Sequence, residues 1–204
     1  MAMQTKIPKF ETYLLNKIGP TATAITLFIL EVLQIIIISS AIIIPIRYYL
    51  IQPFYVKGAS MEPSFYDQEY LIIDELSFRF REPHRGETVV FRYPKDPDEY
   101  FIKRVVAIPG ETVEVNNGTV KIYNDENPNG LLLDESYLEG ERTFGKKRVT
   151  LSANEYYVLG DNRDESLDSR SFGPIKEEHL IGRVWVRGLP LNRIQTFDLP
   201  EYNL

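Results

Sequence analysis

The sequence predicts a mostly β fold: an antiparallel β-sheet or barrel-like domain preceded by one N-terminal transmembrane helix. Three observations predict it. The run Val32 to Ile46 is strongly apolar and free of charge. From Pro53 onward, short apolar or alternating runs follow one another with almost no helical period. Thirteen Tyr, eleven Phe and thirteen Pro weight the 204 residues towards strands and turns.

Composition narrows the class further. With 44% hydrophobic and 25% charged residues the chain is neither disordered nor fibrous. A net charge of -6, with Lys and Arg scattered rather than gathered in a stripe, argues against a nucleic-acid partner. The absence of Cys excludes disulfides, thiol catalysis and Cys-based zinc sites.

Taken in order, residues 1–31 form a basic lead, with Lys6, Lys9 and Lys17 against Glu11 and a Gly19-Pro20 turn signal. The charge-free run is about 15 residues, short of the roughly 20 that cross a bilayer. Arg47 can snorkel, and Tyr48 and Tyr49 suit the headgroup level, so residues 32–51 make a full transmembrane anchor. Glu31 at mid-membrane costs on the order of 3 kcal/mol, which places it at the boundary. The alternatives are a buried core helix and a removable signal peptide. No small-x-small cleavage site follows Tyr49, which disfavours the second. Three lysines before the span favour a cytoplasmic N-terminus, although Arg47 and Lys57 on the other side reduce the asymmetry.

Residues 52–190 are expected to form the β domain. Its strands are read at Phe54–Val56, Tyr70–Ile73, Glu87–Phe91, Tyr100–Ile108, Thr112–Val115, Thr119–Tyr123, Arg148–Leu151, Tyr156–Leu159 and Ile181–Val186. Pro109-Gly110, Asn117-Gly118 and Asn129-Gly130 separate them. Residues 124–145 are polar and weakly patterned, an excursion of loops and hairpins, and 191–204 read as a tail.

The chemistry concentrates in three clusters. In Gly58-Ala59-Ser60-Met61-Glu62-Pro63-Ser64-Phe65 a hydroxyl stands between small residues and a Pro-fixed turn, making Ser60 the candidate nucleophile. A serine in such a turn more commonly caps local backbone. It needs a base, and the two histidines are poor candidates: His84 lies in a turn and His179 on a short solvated helix, with no G-x-S-x-G elbow and no metal-binding His pair. Lys103 interrupts Tyr100-Phe101-Ile102 and Val105-Val106-Ala107-Ile108, an otherwise apolar strand. It is either an outward residue of an alternating strand or a buried amine. Burial can lower a Lys from about 10.4 by about 3 units, into the range of a general base. Arg104 points to the opposite face and needs a carboxylate. In Gly160-Asp161-Asn162-Arg163-Asp164-Glu165-Ser166-Leu167-Asp168-Ser169-Arg170, the residues Asp161, Asp168 and Arg170 fit a salt-bridged loop holding Ser166 near the base.

These clusters, in this order after an anchor, resemble type I bacterial signal peptidases, endopeptidases with a Ser/Lys dyad. Gly58–Phe65, Arg85–Phe91, Phe101–Glu111 and Gly160–Ile175 are similar to the family's boxes, and the resemblance covers roughly 30–187. It implies that Ser60 attacks the scissile carbonyl, Lys103 is general base and then general acid, and Ser166 hydrogen-bonds the amine. It further implies an ion-pair network of Asp161, Asp168, Arg104 and Arg170, and apolar pockets lined by Phe54, Val56, Met61, Phe65, Phe101 and Ile102 that accept Ala-x-Ala-like sites. No metal or other cofactor is implied. The implied partners are signal peptides of exported precursors and the lipid membrane, with the protein a monomer. The implied place is the bacterial cytoplasmic membrane, single-pass, with the domain on the extracytoplasmic side. Gly58 departs from relatives that carry a hydroxyl there as a second oxyanion donor. The rival readings are another Ser/Lys protease, such as a self-cleaving repressor, and a catalytically silent anchored β domain. The first lacks its DNA-binding module here.

Overall fold

The computed structural model describes residues 9–49, 51–138, 140 and 142–197. It divides into two units, Met1–Tyr48 and Tyr49–Leu204.

The first unit holds helix α1 (Lys9–Ile18) and most of helix α2 (Pro20–Tyr49). Gly19, at φ +81°, separates them, and Pro20 occupies the first turn, where its missing N–H costs nothing. The helix therefore begins at Pro20 rather than Val32, because Thr- and Ala-containing sequence continues the helical backbone ahead of the isoleucine run. Ile51, expected in the anchor, instead opens the first strand. Pro20–Pro45 is long and apolar enough to cross a membrane, with mean hydropathy 2.6 and no buried residue in its 18-residue apolar window, which rules against a buried core helix. The roles expected of Lys6, of the Arg47, Tyr48 and Tyr49 side chains, and of residues 198–204 lie outside the described residues.

The second unit is mostly antiparallel β. Its strands are β1 (Ile51–Tyr55), β2 (Tyr70–Asp74), β3 (Thr88–Tyr93), β4 (Asp96–Ala107), β5 (Thr112–Asn116), β6 (Thr119–Tyr123), β7 (Leu131–Leu132), β8 (Lys147–Thr150), β9 (Glu155–Leu159), β10 (Ile175–Lys176), β11 (Leu180–Leu189) and β12 (Gln195–Thr196). A one-turn helix, α3 (Ser169–Phe172), precedes β10. One sheet runs β1-β2-β11-β3-β4-β9-β10 with β12 on β11, and a second runs β7-β6-β5-β8. Period-two burial drives both: Leu71 and Ile73 of β2, Val113 and Val115 of β5, and Val120 and Ile122 of β6 are buried while alternate residues are not. The apolar residues of the second sheet pack with Val106, Ala107, Tyr157 and Leu159 of the first, joining the sheets.

Two regions read as irregular are built in. The excursion contributes β7 and a 3-10 turn at Ser136–Leu138. The segment expected as a tail from 191 pairs β12 with β11 and packs Phe197 against Phe65 with the rings tilted, centroids 4.5 Å apart. Its Arg193 reaches Glu69 at 2.8 Å.

Candidate active site

β4 pairs with β3 through Val89↔Lys103 and Thr88↔Arg104, so the two adjacent cations leave opposite faces of one central strand. Lys103 is 3% exposed. Its Nζ is hydrogen-bonded to Ser60 Oγ at 2.7 Å and donates to the Ile102 carbonyl at 2.8 Å. Burial pulls the amine from its ordinary 10.5 to about 8, a fall limited by the charges of Asp168 and Asp161. The pair therefore has the two properties a general base and its nucleophile require: contact, and a proton affinity near neutrality.

Ser60 lies in the turn after β1. Gly58 takes φ +86° and donates its N–H to Asp67 Oδ1 at 2.8 Å, while Glu62 N donates to the Ala59 carbonyl. A Cβ on Gly58 would meet nothing within 4 Å. The glycine is thus suited to the left-handed backbone rather than to tight packing.

The third cluster docks directly on this turn. Asn162 N donates to the Ser60 carbonyl at 3.2 Å. Arg104 forms a bidentate pair with Asp161, Nε–Oδ1 2.8 Å and Nη2–Oδ2 2.5 Å, and also donates to the Gly86 carbonyl at 2.8 Å. Asp168 accepts from Arg170 Nε and Nη2, both at 2.8 Å, and from Gly160 N at 3.1 Å. The four expected network residues therefore form two ion pairs, Arg104–Asp161 buried and Arg170–Asp168 with a buried carboxylate and a partly buried guanidinium.

Two expectations need correction. Ser166 Oγ is buried but makes no hydrogen bond, so its bond to the amine is not formed; Lys103 Nζ is already engaged by Ser60 Oγ and the Ile102 carbonyl. Met61 and Phe65, expected on the pocket wall, are 1% and 0% exposed and pack beneath the serine with Leu71, Ile73 and Val184. In a tight turn, side chains do not alternate as they do on a strand, and these two fall inward. Phe54, Val56, Phe101 and Ile102 do line the cleft of about 610 Å³ that contains Ser60 and Lys103.

Arg163 was not singled out from the sequence. It is buried, donates to the Gly160 carbonyl at 2.8 Å, and reaches Glu135 Oε1 at 2.7 Å and the Thr143 hydroxyl. Its only sequence signal was its place in the Gly160–Arg170 run. A second cleft, about 640 Å³, is lined by Arg81, Arg183, Arg187 and Arg193. Each of these is ion-paired, to Glu87, Asp74 or Glu69, which marks that cleft as structural. Among the described residues no group of three or more His, Asp or Glu is arranged to hold a metal ion.

Comparison with known proteins places these features in context. A family model described as signal peptidase, peptidase S26, matches residues 29–188. The chain is 35% identical over 170 residues to a probable signal peptidase I-2 of Synechocystis sp., covering 81% of this chain and 75% of that one. It is 30% identical over 191 residues to signal peptidase IB of Staphylococcus aureus, covering 85% and 96% respectively. A crystal structure of a signal peptidase I from Enterococcus faecalis aligns with TM-score 0.43 at 30% identity, over 51% of this chain and 97% of that one.

Proposed function

The chain belongs to the signal peptidase family, peptidase S26, serine endopeptidases that cleave signal peptides, and from that premise we propose how its own residues carry out the cleavage. Ser60 Oγ attacks the scissile carbonyl as its proton passes to the neutral Lys103 amine. The resulting ammonium has three N–H donors, against the two bonds it makes now. Ser166 Oγ, buried and without a partner, is the group that takes the third. The backbone N–H of Ser60 receives the oxyanion. Lys103 then returns the proton to the leaving amine, and a water, deprotonated by the same lysine, releases the acyl-enzyme.

Asp161 with Arg104 and Asp168 with Arg170 hold the loop in place and keep the lysine from losing proton affinity altogether. The apolar walls at Phe54, Val56, Phe101 and Ile102 favour small side chains flanking the cut, as in Ala-x-Ala. The dyad and its two ion pairs are complete within one chain, so the cleavage needs no second copy. The long apolar helix, the one such helix among the described residues, fits an anchor in the bacterial cytoplasmic membrane, with the β domain on the extracytoplasmic side, where precursors emerge.

The observation that carries this reading is the 2.7 Å contact between a buried amine and a serine hydroxyl. In detergent, with a labelled precursor, Ser60→Ala and Lys103→Ala are each expected to abolish cleavage while the β domain keeps its cooperative unfolding transition. Wild-type turnover by either variant refutes the dyad.

A further inference from the structure

Residues 124–146 join β6 to β8, outside the sheet that holds Lys103, and nothing in the cleavage mechanism calls on them. Their contacts nevertheless run to the site. At one end the segment is fixed to its own sheet: Leu133 N donates to the Val120 carbonyl at 2.9 Å, Thr143 N to the Gly118 carbonyl at 3.1 Å, and Leu133 and Leu138 are buried. At the other end it grips the catalytic loop. Glu135 Oε1 accepts from Arg163 Nη2 at 2.7 Å, the Tyr137 hydroxyl from the same nitrogen at 3.2 Å, and the Thr143 hydroxyl from Nη1. The Tyr137 ring lies 4.7 Å from the Arg104 guanidinium. Arg170 donates to the Phe144 carbonyl at 3.3 Å, and next to the segment Lys147, the first residue of β8, donates to the Arg170 carbonyl at 2.8 Å.

The load passes to one glycine. Arg163 Nε donates to the Gly160 carbonyl, while Gly160 N donates to Asp168, so both polar groups of that residue are held. Its Cα faces Ser166 and the Ser60 carbonyl without room for a Cβ. A shift of Arg163 therefore moves Gly160, and Gly160 cannot move without displacing Ser60. We propose that Glu135 is a positioning residue of the peptidase site, acting through Arg163 and Gly160 on the contact between Ser60 and Lys103. This inference rests on the dyad reading above.

Charge gives the proposal a readout that packing alone would not move. The charges acting on the Lys103 amine are Asp168 and Asp161; Glu165 stands on the cleft wall, Arg104 and Arg170 are paired to those two aspartates, and Glu135 is paired to Arg163. Arg163 has no exposed side-chain surface and Glu135 only 12%. Replacing the carboxylate by an amide keeps the shape but leaves a buried guanidinium poorly balanced beside Asp161, which disfavours a second cation at Lys103.

The test is precursor cleavage by the full chain in detergent. Glu135→Gln is expected to lower kcat about tenfold or more, since small misplacements of reacting groups carry factors up to about a hundred. KM should stay within about twofold, and the acid limb of the pH profile should move to lower pH. Tyr137→Phe, which removes one bond and no charge, should lower kcat less and leave the limb in place. Wild-type kcat and an unmoved limb in Glu135→Gln, or a loss no larger than its loss of folded fraction in thermal unfolding, overturns the proposal. If Glu135→Gln does not fold, an unchanged kcat in Tyr137→Phe overturns it instead. Ser60→Ala, run alongside, separates the two readings: residual cleavage there refutes the dyad, whereas an inert Ser60→Ala with a fully active Glu135→Gln refutes only the positioning role.

Discussion

The Cα of Gly160 faces the backbone of Ser60 so closely that a Cβ added there would stand 2.4 Å from the Ser60 carbonyl oxygen and 2.2 Å from Ser166 Oγ. The first of these is backbone and cannot swing aside. Gly160→Ala is therefore expected to push the nucleophile away from its base. Cleavage kinetics should show a fall in kcat of about two orders of magnitude with a much smaller change in KM. Unchanged kcat means the turn yields without moving the hydroxyl.

Lys103 links both activity and stability to pH, each rising over its own range. The neutral amine is the working form, so kcat/KM should rise with pH and level off above about 8. Below about 8 both folded and unfolded chains hold the proton, and the fold bears the cost of a buried ammonium. Between about 8 and 10.5 the unfolded chain binds more protons than the folded one, so stability gains with rising pH, by up to about 3 kcal/mol. Lys103→Met should be inactive yet no less stable than the parent at pH 7, and should lack this gain in denaturant titrations at pH 8 and 10.5.

Asp161→Asn tests the buried pair with Arg104. Removing one partner leaves the other charge uncompensated, for a loss of about 3–5 kcal/mol in chemical denaturation. Because the Asp161 charge raises the proton affinity of Lys103, the acid limb of the activity profile should also move to lower pH. A stability loss without that movement would show that Asp161 is electrically remote from the amine.

Gly58→Ser addresses the missing hydroxyl. Space around a new Cβ is open, but the backbone sits at φ +86°, so the substitution should cost about 1 kcal/mol in thermal unfolding through strain alone. Turnover is expected to be retained or raised, the hydroxyl adding a donor near the oxyanion. A large loss of kcat would show that the Gly58 bond to Asp67 governs the turn.

What the sequence revealed and what it hid follow from the range of the interactions. Ser60 and Lys103 were legible because each breaks a local pattern, a hydroxyl in a Gly/Pro turn and a cation in an apolar strand. The strands were legible because period-two burial is local as well. The partners of Arg163 were not, since Glu135 and Thr143 lie far from it in sequence and in a segment of weak pattern, and only the tertiary fold brings them together. Met61 and Phe65 fall inward although the sequence suggests a pocket wall, because a turn lacks the alternation that sorts a strand. Residues 191–204 read as a tail, yet within them Phe197 packs against Phe65. Gly58 was weighed as a missing donor, and its left-handed backbone became visible only with the fold.

The position of β11, inserted between β2 and β3 although it follows them by roughly a hundred positions, has a bearing on how the protease is born. A ribosome that has made everything up to residue 179 has already supplied both members of the dyad, but the sheet that must hold them still has a gap in its middle. Such long-range closure is slow and all-or-none in character. Chains stalled at that point are expected to be inert towards precursors, so that hydrolytic competence arrives late and in a single event.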